Sequence, residues 1–98
     1  MLRDARLCFI GSGAMGEAII GGLLNKNVVV AGNLVASDPV ENRRQEITSH
    51  YGIGAVADNK EAAENASIVI LAVKPQVLPA VLRELRGHVA KDALVLSI

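Results

Sequence analysis

The six residues Gly11-Ser12-Gly13-Ala14-Met15-Gly16 place three glycines in the spacing G-x-G-x-x-G, a pattern suited to holding a pyrophosphate. In that chemistry Gly11 allows a tight turn, Gly13 lets the backbone approach the phosphates, and Gly16 lets a helix pack closely. The free N–H groups at the helix start then receive negative charge. Glycines would equally serve a bare strand-to-helix turn, so context decides. The loop directly follows the apolar run Leu7-Cys8-Phe9-Ile10 and opens a helical pattern. About twenty residues beyond Gly16, Asn33–Ser37 ends at Asp38, where a ribose-binding acid is expected. A carboxylate there accepts hydrogen bonds from ribose hydroxyls and repels a 2′-phosphate, which favours NAD(H). Ser37, Arg43 and Arg44 offer a phosphate donors and charge, which favours NADP(H). Asp38-Pro39 also reads as a helix start, and the arginines as a solvated helix face. The residues themselves leave that choice open.

Other side chains carry weaker signals. Lys74 follows a central strand on the edge where open α/β sheets bind ligands, and it could equally be a strand-ending lysine in solvent. Asn59 reads as a helix-start residue or as a contact for the adenosine. Cys8 reads as a small buried hydrophobe. His50 and His88 have no acid or nucleophile near them in sequence, and with Cys8 they show none of the zinc or haem spacings, so neither a catalytic residue nor a metal ligand is assigned.

The elements that must position the loop alternate. Leu7–Ile10 reads as a first strand, and Met15, Ala18, Ile19, Gly22 and Leu23 have the spacing of a helix with one buried face, ending near Asn25. Asn33–Ser37 is a second strand, followed by a helix from Val40 to Tyr51 that Gly52 ends, with Pro39 at its first turn. Gly54-Ala55-Val56 is a short third strand, and Asp58 with Glu61 has the capping-box form. Ser67–Val73 is a central strand stopped by Lys74-Pro75. A fourth helix over Gln76–Arg86 carries Val77, Val81, Leu82 and Leu85, and Ala93–Leu96 is a fifth strand. This alternation predicts one α/β domain over residues 1–98: a Rossmann-like parallel sheet with helices on both faces and right-handed crossovers.

Composition agrees with that class. Apolar residues make up 51% of the sequence but only Phe9 and Tyr51 are aromatic, so aliphatic side chains must build the core. The formal net charge of +0 removes the electrostatic argument for nucleic acid or an anionic membrane as the main partner. A single cysteine excludes an internal disulfide and suits a reducing compartment. Met1-Leu2-Arg3-Asp4-Ala5-Arg6 lacks the apolar core of a secretory signal, and no apolar run approaches the ~18 residues of a membrane span. The expected setting is soluble and cytoplasmic. Because the fifth strand runs out at Ser97-Ile98, the chain is expected to be a truncated domain of a longer product.

Four stretches carry a family resemblance: Phe9 to Leu24 around the glycine loop, Ser37-Asp38-Pro39, Asp58-Asn59, and Leu71-Ala72-Val73-Lys74-Pro75-Gln76. Together they resemble the N-terminal half of pyrroline-5-carboxylate reductase. The glycine loop is shared with hydroxyacid dehydrogenases and other nicotinamide enzymes, whereas Val73-Lys74-Pro75-Gln76 is more particular to this family. The resemblance implies hydride transfer from NADPH, or less often NADH, to the C=N bond of pyrroline-5-carboxylate, the small-molecule substrate, giving proline. It implies that Gly11, Ser12, Gly13, Ala14 and Met15 cradle the pyrophosphate and that Ser37 and Asp38 lie at the adenosine ribose. Asn59 would reach the adenosine side, and Ala72, Val73, Lys74 and Pro75 would run toward the nicotinamide. Arg44 stands where the family usually has an apolar residue. The helical C-terminal domain that supplies the family's substrate pocket and most of its dimer interface is absent, so a homo-oligomer is expected only for the full-length protein and no turnover for this chain alone. The alternatives are a hydroxyacid dehydrogenase cofactor domain and a non-catalytic nucleotide-binding module.

Overall fold

The structure, a computed structural model, describes residues 4–98; Met1-Leu2-Arg3, half of the segment compared above with a secretory signal, lie outside them. Strands β1 (Leu7–Ile10), β2 (Leu34–Ser37), β3 (Gly54–Val56), β4 (Ile68–Leu71) and β5 (Leu94–Ser97) alternate with helices α1 (Ala14–Asn25), α2 (Glu41–Tyr51), α3 (Asn59–Ala63) and α4 (Leu78–Leu85). The strands form one parallel sheet in the order β3-β2-β1-β4-β5. This is the doubly wound arrangement, whose direction of winding reverses between β1 and β4.

Alternation along β1 divides the core in two. Leu7 and Phe9 point to the face covered by α1 and α2, where they meet Ile20, Leu34, Ala36, Ile47 and Ile53. Cys8 and Ile10 point to the other face, packed with Ala62, Ala63, Val69, Val81 and Leu85 under α3 and α4. A strand buried on both faces explains why Leu7–Ile10 is uninterrupted apolar sequence. The thiol of Cys8 is fully buried, and loss of hydration pushes its pKa up to about 12.

The helix phases agree with the expected ones only in part: Ile19 and Leu23 in α1 and Val81 and Leu85 in α4 face the core as expected. In α1 the residues turned inward are Gly16 and Ile20, with Ile19, Leu23 and Leu24 half-buried, while Met15, Ala18 and Gly22 are exposed. Gly16 sets this phase, because a Cβ on it would lie 3.3 Å from the Cβ of Ala72, a contact no larger residue could make without a shift. In α4 the inward stripe is Leu78, Val81 and Leu85, so Val77 and Leu82 face solvent.

Boundaries moved by one or two residues. Helix α2 starts at Glu41, leaving Pro39 ahead of its first turn, and a short 3-10 turn at Ala31–Asn33 precedes β2. Asp58 caps α3 by accepting from the Lys60 N–H at 2.9 Å. Strand β5 pairs only with β4, and all four of its residues are exposed, unlike the buried sheet that its apolar sequence suggests. Among the described residues no helix is long and apolar enough to cross a membrane.

Candidate cofactor site

The glycine loop leaves β1 at the edge where the sheet order reverses, and each glycine has a different reason to be there. Gly11 has φ +91°, and a Cβ on it would come within 2.9 Å of the Ala72 carbonyl oxygen. Both backbone conformation and the neighbouring chain therefore exclude a side chain. Its N–H donates to the Ser37 carbonyl at 3.0 Å, with the Ser37 hydroxyl at 3.3 Å, tying the turn to the end of β2. Gly13 is the opposite case: its φ of −69° is open to any residue, and a Cβ on it would meet nothing within 4 Å. Gly13 is also the N-cap of α1 and supplies no side-chain cap, so the first N–H groups of the helix have no intrahelical acceptor. This is a cradle that a Cβ would fill, at the positive end of a twelve-residue helix. It fits a pyrophosphate.

Behind the cradle, polar side chains bond to one another. Buried Ser12 donates its hydroxyl to Asp38 Oδ2 at 2.7 Å, and Asp38 Oδ1 accepts from the Val40 N–H at 2.9 Å. Asp38 thus links the glycine loop to the entry of α2 while staying partly exposed, with acceptor capacity left on both oxygens. The fully buried Ser37 hydroxyl donates to Asn59 Oδ1 at 2.6 Å, and Asn59 Nδ2 donates to Glu84 Oε1 at 3.0 Å. A chain of hydrogen bonds so runs from Gly11 through Ser37 and Asn59 to α4.

The structure joins Gly11, Ser37 and Asn59 in one hydrogen-bonded group and Ser12 and Asp38 in a second, and sets Ala72 and Val73 against Gly11. Gly13, Ala14 and Met15 line the exposed front of the loop, with Met15 64% exposed. Lys74 and Pro75 follow into solvent, and the Lys74 carbonyl accepts from the Val77 N–H at 2.9 Å. Both arginines donate to backbone carbonyls beside the loop. Arg43 Nε donates to the Ser12 carbonyl at 2.7 Å and its Nη2 pairs with Glu17 Oε1 at 2.6 Å. Arg44 Nη1 donates to the Asp38 carbonyl at 2.8 Å. Sequence reasoning missed Glu17, Tyr51 and Glu84, since each meets its partner from a different element.

The comparisons agree with this geometry. A family model described as NADP oxidoreductase, coenzyme F420-dependent, matches residues 6–98. The chain is 39% identical over 93 residues to the pyrroline-5-carboxylate reductase of Pseudomonas aeruginosa, covering 95% of this chain and 34% of the relative. It superposes on a pyrroline-5-carboxylate reductase from Coxiella burnetii with a TM-score of 0.91 at 27% identity, over 96% of this chain and 35% of the other. On the pyrroline carboxylate reductase of Plasmodium falciparum, solved with NADP bound, the TM-score is 0.84 at 26% identity, over 100% of this chain and 34% of the other. The chain thus spans about a third of the length of the relatives it matches. The likeness expected from the glycine loop and the Val73-Lys74-Pro75-Gln76 stretch extends along nearly the whole sequence, and this chain belongs to the NADP oxidoreductase, coenzyme F420-dependent, family.

Proposed function

We propose that this chain is the dinucleotide-binding part of an NADP(H)-dependent reductase that converts pyrroline-5-carboxylate to proline in the cytoplasm. The carrying observation is the open, uncapped start of α1 at Gly13, facing the crevice where the sheet order reverses. NADP bound to the Plasmodium falciparum relative supports NADP(H) as the cofactor, with NAD(H) the alternative. When bound, the reduced nicotinamide supplies the hydride that reduces a C=N bond. The work of this chain is binding and orientation. Backbone N–H groups from Gly13 to Met15 would hold the pyrophosphate, Ser37, Asp38 and Asn59 would form the adenosine end, and Ala72 to Pro75 would flank the nicotinamide end. Pyrroline-5-carboxylate would be held by the part of the protein corresponding to the remainder of the relatives, which also suits a homo-oligomer of the whole enzyme.

Calorimetric titration with NADPH and NADH tests the reading directly. The unaltered chain is expected to bind, and Gly13→Val to fold, since its backbone and surroundings accept a side chain, yet to lose binding because that side chain occupies the phosphate's place. Unchanged affinity in a folded Gly13→Val chain would overturn the assignment. The purified chain alone is expected to reduce no pyrroline-5-carboxylate.

A further inference from the structure

A group of charged side chains lies behind the glycine loop, between α1 and α2. Arg43 extends from α2 and addresses three acceptors: the Ser12 carbonyl at 2.7 Å, Glu17 Oε1 at 2.6 Å and Glu46 Oε1 at 3.5 Å. The second Glu17 oxygen accepts from the Tyr51 hydroxyl at 2.8 Å. The side chains of Arg43 and Glu17 are 26% and 31% exposed, so neither ion is fully hydrated.

This geometry constrains one peptide plane. The carbonyl of Ser12 and the N–H of Gly13 belong to the same trans peptide unit and point in opposite directions. A guanidinium that holds the carbonyl on the α2 side therefore turns the Gly13 N–H away from α2. Were the peptide to flip, the carbonyl would face an incoming pyrophosphate and repel it. The Ser12 hydroxyl is itself fixed on Asp38, so both polar arms of the residue are anchored. Glu17 balances the charge of Arg43, and Tyr51 fixes Glu17.

We propose that Arg43 is a positioning residue that keeps the glycine loop in its anion-accepting form, so that it governs affinity for both dinucleotides and does not contact a 2′-phosphate. The proposal rests on the dinucleotide-binding reading above. The surroundings of Arg43 support it, because two carboxylates and a carbonyl already use its donors.

The test uses the 98-residue chain with NADPH and NADH as probes. Arg43→Gln is expected to weaken both by about tenfold, the size of a lost charged hydrogen bond, with their ratio unchanged. Arg43→Lys, which keeps the charge but lacks the planar fork whose Nε and Nη2 reach Ser12 and Glu17 separately, is expected to restore part of the affinity for both. In the cofactor-free chain, the amide resonance of Gly13 should shift in either variant while those of Phe9 and Val69 stay in place, which a general loss of stability would not produce. Loss confined to NADPH would make Arg43 a phosphate ligand and overturn the proposal, as would unchanged affinity for both or a fixed Gly13 resonance in a folded variant. If Arg43→Gln does not fold, the Lys variant carries the same outcomes. Failure of the unaltered chain to bind either cofactor would instead refute the function proposed above.

Discussion

Glu17 shows how much a single side chain at this site depends on its neighbours. Its carboxyl is held below the ordinary value of 4.5, first by the Tyr51 hydroxyl, then by the hydrogen bond and charge of Arg43, with His50 adding a smaller attraction. A folded-state pKa below the unfolded one means that the ionised pair stabilises the fold above the ordinary carboxylate value. That contribution disappears as pH falls through the folded value. Glu17→Gln is therefore expected to lower the urea midpoint at pH 7 and to approach the unaltered chain as pH falls below the folded value; a gap that stays constant down the whole titration would show that the carboxylate's charge is irrelevant. The sequence disclosed the backbone part of the site but not this part. Glycine spacing reports a local need, and the needs of Gly11 and Gly16, a tight turn and a close helix packing, are met as expected. Glu17 finds Arg43 and Tyr51 at separations of 26 and 34 residues, beyond any local pattern.

Among the elements, α2 is the least expected to dock. It is polar throughout, and Ile47 is its only buried residue. Two things attach it: Ile47, which joins Phe9, Ala36 and Ile53 in the core, and the contacts of its ends with α1, where the Tyr51 ring lies against Gly21 and the Tyr51 hydroxyl reaches Glu17. A Cβ on Gly21 would stand 3.4 Å from that ring, an ordinary van der Waals contact. Ile47→Ala is accordingly expected to cost about 2–5 kcal/mol in chemical denaturation, a large share of the stability of a domain this size. A loss under about 1 kcal/mol would mean that the polar contacts hold α2 without it. Element order was readable because strand and helix periods differ and Gly or Pro marks most ends. Helix phase was readable only in part: Ile19 and Leu23 pack on the core as expected, but their spacing lets either Met15, Ala18 and Gly22 or Gly16 and Ile20 complete the buried face of α1. The close approach of Gly16 to Ala72 decides between them, and that contact is set by the sheet.

For the whole molecule, the parallel sheet gathers the glycine loop, the end of β2 and the chain leaving β4 at one edge, although they are distant in sequence. Exposure along β5 was not readable from its Leu-Val-Leu composition, because hydropathy records what a strand could bury and not what covers it. At the centre, β1 has neighbours on both sides and helices on both faces, and its Cys8 has no exposed surface. With its pKa pushed up to about 12, that thiol is un-ionised near neutral pH and out of reach of reagents until the middle of the sheet comes apart. Mixed with an aromatic disulfide reagent at pH 8, the native chain is expected to release chromophore slowly, at a pace set by global opening, and more slowly still with saturating NADPH, which stabilises the closed form by mass action. Prompt release would place Cys8 at a surface. The cysteine inside β1 is in this way a built-in clock: one thiol, sealed at the centre of the fold, whose labelling time counts how often the molecule opens.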